Sequence, residues 1–243
     1  MDIWIALGFG LVILATHFLE GITGFGCTVL ALPFCIMLVG IKSAVPILVI
    51  LALLLALYVV IIAWPHIVWP QFRTILIYVG LGLPVGMWLF TRFPEGVLRK
   101  ILAVFMVIVS LRGLWKVFHP GPKANPPHWL GSRLCLFLGG CVHGAFGSGG
   151  PLVVVYATKA LPRKENFRAT LCLLWLTLNS IILIRDFRAG LITPQVIILL
   201  LYALPFLAAG AWLGNLAHHR ANEVVFLKIV YGVLLWTGLF MFL

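Results

Sequence analysis

Apolar and polar positions divide the chain into blocks. Long apolar runs occur roughly at 3–20, 44–63, 74–91, 97–118, 130–145, 167–185, 195–216 and 223–243. A membrane-crossing helix needs about 20 apolar residues. These eight runs therefore predict eight long transmembrane helices. Two shorter apolar pieces, near 28–40 and 151–161, directly follow glycine clusters. At ~1.5 Å rise per residue, a helix of about 12 residues reaches about 18 Å, roughly half a bilayer. These pieces predict two short helices after glycine breaks. The expected fold is an all-α integral membrane protein of about ten segments.

One polar, turn-rich linker, "HPGPKANPPH" at 119–128, splits the chain into near-equal halves. It separates a first transmembrane repeat (1–118) from a second (129–243). Sliding the halves by 123 residues superposes Gly21, Gly24 and Gly26 on Gly144, Gly147 and Gly149, and Glu20 on His143. Later, "VGMWL" at 85–89 matches "AGAWL" at 209–213, and Lys100-Ile101 matches Lys228-Ile229. Features matched in the same order indicate duplication, and internal repeats are common in transporter folds. With five crossings per half, Lys and Arg divide 11 against 6 between the two faces; with four, 10 against 7. The positive-inside rule favours the first, with inverted repeats, a cytoplasmic linker and both termini outside. The margin is narrow.

Composition agrees with a membrane setting. The chain is 63% hydrophobic and 9% charged, against about 25% charged in soluble domains. The formal net charge of +11 would suggest nucleic acid in a soluble protein. Here the basic residues fall mostly between apolar runs, where they set topology and meet anionic lipid headgroups. Membrane lipid is expected as a partner and nucleic acid is not. The first helix lacks a basic leader region and a small-residue cleavage pattern, and reads as a retained span. The five cysteines, Cys27, Cys35, Cys135, Cys141 and Cys172, lie in or beside apolar runs without a C-x-x-C pair. They are expected to be buried free thiols. No phosphate-binding G-x-x-x-x-G-K-[ST] occurs, and no cluster has metal-ligand spacing; His218-His219 is a lone loop pair. Neither cofactor nor metal is expected.

The glycine breaks carry the chemistry. Inside hydrocarbon, every backbone N–H and C=O needs a partner, and irregular backbone is tolerated only where buried in protein or lining a cavity. A helix that starts at such a break aims free N–H groups and a partial positive charge at its surroundings, which suits an anion. Candidate substrate-binding residues are Gly21, Thr23, Gly24, Gly26 and Thr28 in the first break. In the second they are Gly144, Gly147, Ser148, Gly149 and Gly150. Pro151 sits near the start of the second short helix, where its missing N–H costs little. The competing reading is close helix packing through small residues. Glu20 and His143 are outliers in apolar surroundings and are candidates for proton coupling. His17, one turn before Glu20, is a weaker third member. Arg168, Thr170 and Asn179 form a second tier, with a plain loop arginine and an interhelical hydrogen bond as the alternatives for Arg168 and Asn179. Arg185, Asp186 and Arg188 read as a membrane boundary.

These segments also carry a resemblance. "GAFGSGGPLVVVYATKAL", "GITGFGCTVLALPF" and "FRATLCLLWLTLNS" resemble the glycine motifs and the following helix of the sulfite exporter TauE/SafE family of membrane permeases. The resemblance covers most of the chain. It departs at Cys27 and Thr28, where the family's first motif carries glycines. It implies transport of a small sulfur-containing anion such as sulfite, thiosulfate or an organosulfonate. The expected function is a secondary, proton-coupled carrier in the cell's inner or plasma membrane, with alternating access around the breaks. A homodimer is expected only from the habit of membrane carriers. Two other readings stand beside it. A scaffold or assembly subunit would move no solute. An intramembrane hydrolase would use Ser148 and His143, but a pair five residues apart does not align on one helix face. The chain is therefore expected not to be an enzyme.

Overall fold

The computed structural model describes residues 3–23, 27–119, 129–217 and 223–240. Ten α-helices account for nearly all of them. The first half contains α1 (Ile3–Thr23), α2 (Cys27–Val39), α3 (Ile41–Ala63), α4 (Trp69–Arg92) and α5 (Glu95–Phe118). The second contains α6 (Trp129–Phe146), α7 (Gly150–Ala160), α8 (Lys164–Arg188), α9 (Pro194–Ala217) and α10 (Glu223–Phe240). Most of the central linker and the loop before α10 lie outside the described residues.

The expectation of eight long spans needs correction. Among the described residues, five helical segments are long and apolar enough to cross a membrane: Ile41–His66, α4, α5, α8 and Pro194–Gly214 of α9. The three remaining runs fall on α1, α6 and α10, whose end side chains lie partly outside the described residues. The described apolar stretches of α1 and α6 run only from Trp4 to Glu20 and from Leu130 to Phe146. α10 spans 18 residues, and several of its side chains lie outside the description. The short helices are as expected, with 13 residues in α2 and 11 in α7.

Local chemistry sets the boundaries. Gly40 has φ 76°, so the chain can turn between α2 and α3 without a Cβ clash. The Ile41 amide then donates to Glu95 Oε1 at 2.8 Å. A carboxylate from the first turn of α5 thus satisfies an open N–H at the start of α3. α8 stops in a Schellman turn. Gly190 has φ 67°, its amide donates to the Phe187 carbonyl, and Leu191 donates to that of Asp186. α9 starts at Pro194, with the Val196 amide donating to Thr193 Oγ1 at 3.3 Å.

Helix pairing is reciprocal between the halves. α1 packs along α9, and its counterpart α6 packs along α4. α3 packs against α8, α5 against α10, and the pairs α4–α8 and α3–α9 mirror each other. The repeated "GxWL" segments lie at these crossings. Gly86 is pressed against the Cys141 carbonyl of α6, and Gly210 against the Leu14 carbonyl of α1. A Cβ at Gly82, Gly86 or Gly140 would overlap backbone of the facing helix. Small residues let these backbones approach as membrane helices often do.

Burial concentrates on α2, α3 and α8, which supply much of the core. The outer faces carry large apolar side chains, including Trp4 (77% exposed), Ile61 (68%) and Phe187 (75%). Such a surface suits a protein whose solvent is hydrocarbon.

Candidate functional site

The second break forms at the end of α6. Gly147 takes φ 64° and its amide donates to the His143 carbonyl at 2.7 Å, closing the helix with a left-handed residue. Ser148 and Gly149 then lead into α7, with Pro151 in its first turn. At the first break, α1 ends at Thr23 and α2 begins at Cys27. Gly24 and Gly26 lie outside the described residues. Gly21 and Thr23 belong to the last turn of α1, and their side chains lie outside the description as well.

Both breaks open on one cavity of ≈ 460 Å³. The first turn of α2 contributes Cys27, Thr28 and Val29, and the start of α7 contributes Gly147, Ser148 and Gly150. Glu20, His143, Arg168, Cys172, Trp175 and Asn179 line the same space, which α3 and α9 wall with Ala56, Val59, Leu207 and Ala211. The second break lies beside the first turn of α2. A Cβ added to Gly147 would meet Val49 at 2.8 Å and Thr28 at 3.9 Å.

The polar groups here are unusually bare. Ser148 Oγ, His143 Nε2, Asn179 Oδ1 and Glu20 Oε2 are buried atoms that complete no well-formed hydrogen bond, although the His143 and Asn179 side chains interact. Buried polar atoms are normally paired, so each exception calls for an explanation. The His143 ring stacks on Trp175 with centroids 5.0 Å apart. Its Nδ1 accepts a long hydrogen bond, 3.4 Å, from the Gly149 amide. In the neutral ring the proton then sits on Nε2, making that atom a donor. Hydroxyls, this imidazole N–H and the Arg168 guanidinium can therefore all donate to an oxyanion in the cavity. Ser148 and His143 are not hydrogen-bonded to each other, since Ser148 Oγ has no partner. The activated pair a hydrolase needs is not formed.

Several candidates lie elsewhere. Gly144 is pressed against the Leu83 carbonyl of α4, so it serves helix packing. Gly149 is pressed against the Gly139 carbonyl of α6. Thr170 is fully buried, and its Oγ1 accepts from the Val68 amide at 3.0 Å, tying α8 to the start of α4. Arg185 and Asp186 are not a water-facing boundary. Arg185 Nε and Nη2 donate to Asp186 Oδ1 at 2.7 and 2.5 Å, and Nη1 donates to the Gly144 carbonyl at 2.6 Å. The guanidinium also lies 4.4 Å from the Phe90 ring centre. This buried pair braces the last turn of α6, just before the break.

A family model described as sulfite exporter TauE/SafE matches residues 9–241. The chain belongs to the TauE/SafE family. No curated protein and no solved structure matches it. As a TauE/SafE member it is a multi-pass transporter of the inner or plasma membrane that handles small anions, and it is not an enzyme.

Sequence reasoning missed three contributors. Trp175 and Cys172 project from α8 into the cavity lining, and nothing in their local sequence marks them. The third is Cys27. The break brings it back beside His17 and Glu20, so that the ligating atoms of all three lie within 4.8 Å of one another. The spacing of His17 and Glu20 was readable; the return of Cys27 depends on how the break turns.

Proposed function

We propose that this TauE/SafE protein is a secondary carrier for sulfite or a small organosulfonate, driven by protons. The observation that carries the reading is one cavity shared by the starts of α2 and α7, with buried hydroxyl, imidazole and amide atoms around it that complete no well-formed hydrogen bond. Its ≈ 460 Å³ falls within the range of small-ligand sites, about 300–1,000 Å³. Thr28 and Ser148 donate from hydroxyls, His143 from Nε2–H, and Arg168 supplies positive charge. The amides of Ser148 and Gly150, where the chain enters α7, add the helix N-terminus. Gly21, Thr23, Gly24 and Gly26 play the matching part in the first break, and Asn179 orients the anion.

Glu20 and His143 line the same cavity and exchange the coupling proton with it, with His17 beside Glu20. The repeats are inverted, and access alternates around the two glycine-broken helices. Membrane lipid surrounds the exposed apolar faces.

Radiolabelled sulfite and sulfoacetate flux into proteoliposomes tests this. Flux should exceed that of empty vesicles and rise with an imposed pH gradient. A Glu20→Gln/His143→Gln double variant should keep exchange and lose the response to the gradient. Absence of flux for every sulfur anion would overturn the carrier and favour a scaffold. A gradient response unchanged in the double variant would remove the proton assignment alone.

A further inference from the structure

The side chains of His17, Glu20 and Cys27 converge at the edge of the cavity, where no role in anion binding accounts for all three. Their ligating atoms lie within 4.8 Å of one another. His17 and Cys27 are buried, and Glu20 is half-buried. His17 Nδ1 donates to the Ile13 carbonyl at 2.8 Å. That bond fixes the tautomer and leaves Nε2 as a lone pair, the arrangement typical of a ligating imidazole. Nε2 is buried and completes no well-formed hydrogen bond, and neither does Glu20 Oε2. Cys27 Sγ has a weak contact with Thr28 Oγ1, at 3.7 Å, and a side-chain interaction with Glu20. A buried imidazole lone pair, a carboxylate oxygen and a thiol thus face one another, with the thiol proton the one donor that Cys27 can offer its neighbours.

We propose that His17, Glu20 and Cys27 form a binding site for a divalent, borderline-soft transition metal ion, with Zn²⁺ the best fit. Thiol, imidazole and carboxylate are the donor types that zinc takes in sites with three protein ligands and one open position. Tetrahedral bonds of about 2.0–2.3 Å set ligand atoms about 3.3–3.8 Å apart. Side-chain shifts of about an ångström close the present cluster to that geometry. Charge favours a dication. A thiolate and a carboxylate balance Zn²⁺, so the loaded site is neutral where an uncompensated charge would be costly. The thiol proton is released to solvent on binding. Glu20 and Cys27 line the cavity and His17 does not, so the open position faces the cavity. The site does not depend on the anion reading and would stand if no anion moved; while loaded it takes Glu20 out of proton exchange, which then rests on His143.

Cobalt(II) is the probe, added to the detergent-purified full chain. Wild type should show one tetrahedral Co²⁺ per chain with a thiolate-to-cobalt charge-transfer band, and Zn²⁺ should displace it. Cys27→Ser should abolish that band, and His17→Gln should weaken cobalt binding at least tenfold. Cys35→Ser, at a buried thiol outside the cluster, should leave both unchanged. A cobalt spectrum unaffected by Cys27→Ser would overturn the proposal, as would no tetrahedral signal in wild type. X-ray absorption on zinc-loaded wild type needs no variant. One sulfur at about 2.3 Å with nitrogen and oxygen at about 2.0–2.2 Å is expected. A shell without sulfur would refute the site.

Discussion

Ser148 shows how much a single side chain can say. Its hydroxyl is 2% exposed and makes no hydrogen bond. An unsatisfied buried polar group costs about 1–3 kcal/mol. Retaining one at a helix start that opens on a cavity makes sense if a guest supplies the missing partner. A hydrogen bond to a charged group contributes about 1.5–3 kcal/mol. Ser148→Ala should therefore raise the KM for sulfite about tenfold or more in flux assays. Thermal unfolding of the empty protein should hold steady or rise. A lower unfolding temperature with unchanged KM would show the hydroxyl to be structural instead. At this scale the sequence was readable where an anomaly is local. Glu20, His143 and Ser148 stand out among apolar neighbours, and all three line the cavity. Arg185 and Asp186 misled because their meaning is not local. The same charges next to each other suit a water boundary equally well, and only the reach of Arg185 to the Gly144 carbonyl reveals a buried brace. Thr170 likewise spends its oxygen on an amide 102 residues away.

For the helices, apolar run length predicted existence and order well and span length less well. Glycine-rich segments were read as breaks, and the helices on either side of them, α1 with α2 and α6 with α7, follow that reading. Periodicity cannot tell which glycines shape a turn and which admit a neighbouring backbone. Gly147, with positive φ, does the first. Gly86 does the second, against the Cys141 carbonyl. Gly86→Ala should accordingly push α4 from α6. Overpacking of this kind costs about 1–3 kcal/mol, visible as a lower unfolding temperature in detergent. Gly80, on the same helix, has open space around it. Gly80→Ala should leave stability unchanged or improve it by up to about 1 kcal/mol, the helix-propensity difference. Equal behaviour of the two variants would contradict the tight α4–α6 crossing.

Across the whole molecule, a repeat-like order of features was legible as a 123-residue offset, but the pairing of the helices was not. No sequence pattern announces that α1 seats on α9 and α6 on α4, because each glycine in these crossings is complementary to a carbonyl distant in the chain. Since the most extensive pairings join one half to the other, neither half should be stable alone. Two chains cut within residues 120–128 and co-expressed should copurify as one complex, while each expressed singly should be degraded or aggregate. Independent, folded halves would show that the crossings are weaker than the packing suggests. The same lacing bears on mechanics. A hinge drawn at the linker would have to tear α1 from α9 and α6 from α4. On the proposed alternating access, the blocks that move would instead be mixed, α1 and α2 travelling with α9, and α6 and α7 with α4. Each block then owns one of the two broken helices, so a shear between them changes the gap across which those helices face each other.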